Sequence, residues 1–243
     1  MKIYDIIRSN SQKGKKMLAV LIDPDRFKDE EKGKKFLEQC EDAEIDFFYL
    51  GGSLLTRGET EITLDFIKNH TSIPVILFPG DSMQVSAKAD AILFLSLISG
   101  RNADLLIGKH VTAAPFIRKA KLEAISTGYM LIDCGKPTTA SYISQTFPIP
   151  YDKPEIAVST AIAGELLGLK MIYADGGSGA AKMISSEMIA AIKANTELPL
   201  IIGGGIKSFE DALKIWNAGA DIIVIGTSLE NNPEMITSFK NRK

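Results

Sequence analysis

Eight short apolar runs punctuate the chain: "KMLAVLID" (16–23), "DFFYLGGS" (46–53), "PVILFPG" (74–80), "AILFLSLI" (91–98), "AISTGYMLID" (124–133), "KMIYADG" (170–176), "PLIIGGG" (199–205) and "DIIVIGTS" (221–228). They are almost unbroken in Val, Ile, Leu and Phe instead of alternating with polar residues, the pattern of strands buried on both faces. Between most of them lie amphipathic stretches such as "DEEKGKKFLEQCEDA" (29–43) and "SFEDALKIWNAGA" (208–220), the second with Phe209, Leu213 and Trp216 at helical spacing. Eight buried strands alternating with helices predict an α/β fold of the closed (β/α)8 TIM-barrel type, as one domain over 1–243, with an open doubly wound sheet as the alternative.

A weak internal repeat favours closure. "AEIDFFYLGGSL" (43–54) resembles "AGADIIVIGTSL" (218–229), and "AKADAILFLSL" (87–97) shares the Asp followed by an apolar run. Each Asp falls where a helix hands over to a strand, at the bottom of a barrel, so Asp46, Asp90 and Asp221 are expected to be turn residues and not catalysts.

Two units break the cadence. Only "DSMQVSAKA" separates Gly80 from Asp90, too little for a covering helix between strands three and four, which predicts an apolar groove beside "ILFPG" and "ILFLSLI". "CGKPTTASYISQTFPIPYDKPE" (134–155) is long and rich in Pro, Ser and Thr, the composition of a functional lid or a disordered segment.

Composition narrows the function classes. With 28 basic and 30 acidic residues and a formal net charge of −2, there is no basic field to argue for a nucleic-acid partner. No run of about 18 apolar residues occurs, so neither a signal peptide nor a membrane span is expected and the protein is placed in the cytoplasm. Cys40 and Cys134 stand alone, without the paired spacing of a zinc site or a disulfide framework, and read as structural.

In such a barrel the chemistry sits at the C-terminal ends of the strands. Those ends are rich in glycine: "YADGGSGA" (173–180), "GGGIKS" (203–208) and "GTSLE" (226–230) close strands six, seven and eight. Glycines there let backbone N–H groups converge on an anion with no Cβ in the way, which cradles a phosphate. Across the mouth, Asp23 and Asp25 in "IDPD" and Ser53 in "GGS" offer oxygen ligands. A sparse set of this kind suffices for magnesium when the ligand brings phosphate oxygens. Asp25 reads equally as the N-cap of the helix that follows, and Asp81 as the cap of a short turn. Lys207, Arg101 and His110 are further phosphate candidates, each read first as a solvated surface residue.

Taken in order, "LIDPD", "FFYLGGS", "ILFPG", "YADGGSGA", "LIIGGGIKS" and "ADIIVIGTSLE" resemble the geranylgeranylglyceryl phosphate synthases and the related heptaprenylglyceryl phosphate synthases across nearly the whole chain. The resemblance implies a magnesium-dependent prenyltransferase that joins a polyprenyl diphosphate, with geranylgeranyl the expected chain, to the hydroxyl of sn-glycerol-1-phosphate, giving an ether lipid precursor. On the matching positions it implies Asp23 and Ser53 as metal ligands. Tyr173, Ala174, Asp175, Gly176, Gly177, Ser178 and Gly179, with Gly203, Gly204, Gly205, Gly226 and Thr227, would bind the glycerol phosphate. Many members carry Glu and Ala where this chain has Asp175 and Gly176, so its carboxylate is one methylene shorter. Asp175 is expected to accept the hydroxyl proton, directly or through water, with Tyr173 fixing the headgroup. The family also implies a homo-oligomer, a dimer or a hexamer. A sugar-phosphate isomerase or synthase, and a non-catalytic phosphate-binding barrel, would share the anion site without the long groove.

Overall fold

The computed structural model describes residues 2–25, 29–52, 59–240 and 242. Its strands are β1 (Met17–Ile22), β2 (Phe47–Leu50), β3 (Val75–Leu77), β4 (Ala91–Leu97), β5 (Glu123–Leu131), β6 (Met171–Asp175), β7 (Leu200–Gly203) and β8 (Ile222–Ile225). All pair in parallel in chain order, and β1 closes on β8 with Met17 beside Ile222 and Val20 beside Ile225. Each of the eight apolar runs thus becomes a strand, and the sheet is a closed TIM barrel, not an open doubly wound sheet.

Because side chains alternate across a strand, closure sorts these runs into two cores. Met17, Ala19, Phe47, Tyr49, Ile76, Leu93, Ile125, Tyr173, Ile201 and Val224 fill the barrel. Leu18, Val20, Phe48, Leu50, Val75, Ile92, Ile172, Ile202 and Ile223 face outward against the helices. The helices that cover this layer include α2 (Glu30–Asp42), α3 (Thr60–His70), α4 (Lys109–Ala120), α6 (Pro154–Leu166), α7 (Ser186–Asn195) and α8 (Phe209–Asn217). Asp29, not Asp25, caps α2, its side chain accepting the Lys32 N–H at 3.1 Å. An N-terminal helix, α1 (Ile3–Gln12), adds Ile3 and Ile7 to the interior cluster. Its first N–H groups, at Ile3 and Tyr4, are satisfied by the Glu123 carboxylate at the start of β5, at 2.7 and 3.2 Å. Among the described residues no helix is long and apolar enough to cross a membrane.

The repeated Asp residues do more than turn the chain. Asp46, Asp90 and Asp221 each accept, through a side-chain oxygen, the backbone N–H of the strand before them: Leu18 at 2.9 Å, Val75 at 2.7 Å and Leu200 at 2.7 Å. Each also donates its own N–H to the carbonyl of that same residue at 2.9 Å. A lysine pairs with every one of these carboxylates, namely Lys15 at 2.6 Å, Lys68 at 2.8 Å and Lys193 at 2.6 Å. The internal repeat is therefore a repeated clamp that sets strand register at the bottom of the barrel.

Between β3 and β4 the chain makes turns and no helix. Asp81 caps one of them, accepting the Met83 N–H at 3.1 Å. The outward residues of β4 are Ile92, Phe94 and Ser96, while Leu93 and Leu95 point into the barrel. The long 134–155 segment is built, not loose. Thr138 and Ser141 form a capping box for α5 (Thr139–Ser144), and Ile149 forms a bridge with Ile132 beyond β5, its carbonyl accepting the Asp133 N–H and its N–H donating to the Leu131 carbonyl, each at 2.8 Å.

The clamp yields a stability prediction. Asp221→Ala leaves the buried Leu200 N–H without its side-chain acceptor and is expected to lower the unfolding free energy by about 1–3 kcal/mol in urea titration. Asp221→Asn, which keeps an acceptor oxygen, should lose less.

Candidate active site

The C-terminal ends of the strands open into one cavity of about 1040 Å³ that continues into the groove beside β4. Its polar end is the glycine-rich cluster. Gly177, Ser178 and Gly179 follow β6, Gly204 and Gly205 follow β7, and Gly226 and Thr227 lead from β8 into α9 (Thr227–Asn231), all lining the cavity. The loops interlock. Gly176 N donates to Gly203 O at 2.9 Å, and the Ser178 and Thr227 hydroxyls meet at 2.9 Å. Side chains would clash within this cluster. A Cβ on Gly203 would stand 2.6 Å from the Tyr173 hydroxyl, and Gly204, at φ +86°, would place one 2.7 Å from the Gly177 nitrogen. The first turn of α9 leaves backbone N–H groups without intrahelical acceptors, so this end of the cavity is a ring of neutral donors suited to an anion.

Asp175, the last residue of β6, sits under this ring. Only 8% of it is exposed, and both oxygens are engaged: Oδ1 accepts the Gly177 N–H at 2.7 Å and Oδ2 the Tyr129 hydroxyl at 2.5 Å. Burial raises its pKa above the ordinary carboxylate value, against the lowering effect of those two hydrogen bonds. Tyr129 stands beside Tyr173 in strand register, and their rings meet edge to face at 5.3 Å. Tyr173 also stacks on Phe78 at 5.3 Å, so an aromatic floor separates the carboxylate from the barrel interior. Burial, and then the Asp175 charge, hold both tyrosine hydroxyls in the protonated form.

The apolar end runs along the face left bare by the absent helix. Ile92 and Phe94 of β4 and Ala113 and Ile117 of α4 line it. An ion pair between Lys109 Nζ and Asp81 Oδ2, 2.7 Å long, links its two rims.

The matches to known proteins agree with this geometry. Residues 10–243 match the model of the PcrB family. The chain belongs to the PcrB family. A Spirosoma linguale protein named geranylgeranylglyceryl phosphate synthase is 48% identical over 231 residues, 95% of this chain and 92% of the relative. A Pyrococcus furiosus protein of the same name is 41% identical, covering 95% and 92%. The solved (S)-3-O-geranylgeranylglyceryl phosphate synthase of Thermoplasma acidophilum, in complex with its substrate sn-glycerol-1-phosphate, superposes with a TM-score of 0.90 at 31% identity, covering 98% of this chain and 97% of that one.

Within this PcrB-family barrel, most of the expected site residues converge. Tyr173, Asp175, Gly177, Ser178, Gly179, Gly204, Gly205, Gly226, Thr227 and Asp23 all line the cavity. Ala174, Gly176 and Gly203 do not. Ala174 turns its methyl into the outer core, Gly176 packs on Cys134, and Gly203 lies against the Tyr173 hydroxyl. Asp23 accepts the Asp25 N–H through Oδ1 at 3.0 Å, and its strand β1 is the neighbour of β8 in the barrel. Ser53 lies outside the described residues. Among the described residues no group of three or more His, Cys, Asp or Glu stands ready to hold a metal.

The other phosphate candidates are placed differently. Lys207 Nζ lines the cavity but donates to the Ala181 carbonyl at 3.1 Å, and Arg101 caps the carbonyl of Gly100 at 2.7 Å. His110 is not a solvated surface residue. It is buried in the groove wall, 3.2 Å from the Ser96 hydroxyl and edge-on to Phe94, and burial lowers its pKa. Tyr129 and Lys136 line the site without having been singled out from the sequence. Tyr129 carried a usable signal, a hydroxyl-bearing aromatic near the end of a buried strand, in register with Tyr173.

Removing the Tyr129 hydroxyl deletes a hydrogen bond that favours ionised Asp175. In Tyr129→Phe the carboxyl should therefore titrate at higher pH than in the parent, as read by carboxyl ¹³C NMR. An unchanged titration would show that the contact does not hold the charge.

Proposed function

We propose that this chain is a prenyltransferase that joins C1 of a polyprenyl diphosphate to the terminal C3 hydroxyl of sn-glycerol-1-phosphate, forming an ether bond and releasing diphosphate. The observation that carries this reading is the continuity of one cavity from a neutral anion cradle, past a buried carboxylate, into a hydrocarbon-lined groove. A barrel for a small sugar phosphate has no use for the groove. The names of the relatives and the ligand of the Thermoplasma acidophilum enzyme support the same substrates.

The chain's own groups divide the work. The phosphate monoester is held by the N–H groups of the 178–179, 204–205 and 226–227 loops, which turns the glycerol toward Asp175. The hydroxyl oxygen forms its bond to C1 as the C1–O bond to diphosphate breaks, the diphosphate leaving with the electron pair. The hydroxyl proton passes to Asp175. Each Asp175 oxygen keeps a lone pair beyond those used by Gly177 and Tyr129, so the carboxylate can accept it, and its raised pKa makes it a better base. Tyr129 holds the carboxylate in place, and Tyr173 and Phe78 close the floor beneath it.

The residues present fit magnesium. Asp23 is a carboxylate lining the cavity after β1, with Ser53 the second candidate, and such a sparse oxygen set serves when substrate phosphates and waters complete the shell. When bound, the ion supplies charge neutralisation at the departing diphosphate. The tail is bound by burial. At about 0.8 kcal/mol per CH₂, each C₅ unit removed from water contributes at most about 4 kcal/mol.

Incubation with sn-glycerol-1-phosphate, labelled geranylgeranyl diphosphate and magnesium should move label into an extractable lipid. Asp175→Asn should cut that rate by about 10²- to 10⁴-fold. Binding of glycerol phosphate without any labelled lipid would instead identify a non-catalytic barrel.

The parity of β4 selects the variant that tests the groove. Ser96 points outward, so Ser96→Trp should shorten the longest diphosphate accepted while sparing short ones. Turnover with C₁₀, C₁₅, C₂₀ and longer diphosphates reads this, and an unmoved length profile would put the tail elsewhere.

A further inference from the structure

The cradle is electrically incomplete. Its donors are backbone N–H groups and the Ser178 and Thr227 hydroxyls, all neutral, whereas a phosphate monoester carries close to two negative charges at neutral pH. An anion taken partly out of water needs a cation beside it.

The cations around the mouth are almost all committed. Lys109 is paired with Asp81 at 2.7 Å. Lys207 donates to the Ala181 carbonyl at 3.1 Å, and Arg101 to the carbonyls of Gly100 and Ile98 at 2.7 and 3.4 Å. Lys182 lies over the Tyr151 ring, 3.2 Å from its centroid. Lys136 differs. It lines the cavity, and among the described residues it has no hydrogen bond and no ion pair. Its Nζ stands 3.4 Å from the point a Cβ on Gly179 would occupy, at the edge of the glycine loop.

That position is built by the backbone. Gly135, at φ +96°, donates its N–H to Asp133 Oδ1 at 3.0 Å, which turns the chain after β5. Two residues beyond Lys136, Thr138 caps α5 and packs against Gly177. Lys182 N donates to Cys134 O at 3.3 Å, fastening the 133–138 turn to the loop after β6. The lysine is thus carried on the same loop pair that forms the cradle.

We propose that Lys136 is the charge-bearing phosphate ligand of the acceptor site, the residue that makes the site select a phosphorylated glycerol over glycerol itself. The assignment rests on the acceptor reading given above. It places Lys136 on the monoester and not on the diphosphate, because it adjoins Gly179 after β6, whereas Asp23 lies after β1, three strands away around the barrel.

Three forms of the full-length chain test it: the parent, Lys136→Met and Lys136→Arg. Lys136→Met should raise the KM for glycerol-1-phosphate about tenfold, the range expected for an exposed charge-assisted contact, with kcat and the KM for geranylgeranyl diphosphate within about threefold of the parent. Lys136→Arg should recover most of the loss. Calorimetric titration with inorganic phosphate should show the same order of affinities, and added salt should weaken the parent far more than the Met variant. That measurement needs no turnover, so it separates a wrong assignment of Lys136 from a wrong assignment of the reaction. Equal phosphate affinity in parent and Lys136→Met, or a KM change confined to the diphosphate, would overturn the proposal. Absence of phosphate binding by the parent would overturn the cradle and Lys136 together.

Discussion

Closure of the hydrogen-bond ladder between β1 and β8 is the constraint on which everything else in this protein rests. Strands of three to nine residues have little to hold them individually. Joined into a ring, they lose their free edges and place every strand's C-terminal end at one mouth. Glycine loops far apart in sequence, after Asp175, Gly203 and Ile225, become neighbours by this route. Closure also fixes parity, since a one-residue slip would carry Tyr173 out of the barrel and Ala174 into it. The Asp clamps at the other rim act on the same variable, because each ties the start of one strand to a named residue of the strand before.

Parity decides what Asp175 can be. It shares the inward parity of Tyr173 on the same strand, so its carboxylate enters the mouth above a floor of Tyr129, Tyr173 and Phe78. Aromatic surroundings strip water from the carboxylate and raise its pKa, while Tyr129 and the Gly177 N–H hold its orientation. The short Asp175 side chain is followed by a glycine at 176, where a methyl would crowd Cys134: a Cβ there would lie 2.9 Å from its sulfur. Residue 175 and its neighbour thus fit their surroundings as a pair.

The strands were legible because burial on both faces leaves an unmistakable apolar run, and the glycine ends because so few other residues tolerate positive φ and close backbone approach. The absent helix after β3 was legible by length alone. Contacts made across the barrel were not. Tyr129 looks like an ordinary strand aromatic until β5 and β6 are set in register, and Lys136 looks like one more solvated lysine until its turn is seen fastened to the loop after β6. His110 misled for the converse reason. On a helix written "GKHVTAAP" it reads as surface, but the π-helical turn Asp104–Gly108 before α4 and the Ser96 contact rotate it into the groove wall. Asp25 was expected to cap the helix after β1, but that helix starts only at Glu30 and its cap is Asp29.

The bare flank between β3 and β4 has a consequence for the stability of the molecule as a whole. Only two residue pairs, Ile76 with Ala91 and Leu77 with Ile92, join these strands, against seven between β4 and β5. The ring is therefore thinnest where no helix shields it, and so few ladder pairs favour local opening along this seam. A hydrocarbon chain lying in the groove covers that same seam and binds only the closed form, so it raises the free energy of opening by mass action. A prenyl chain bound there would stand in for a structural element, covering the strands that the missing helix leaves bare.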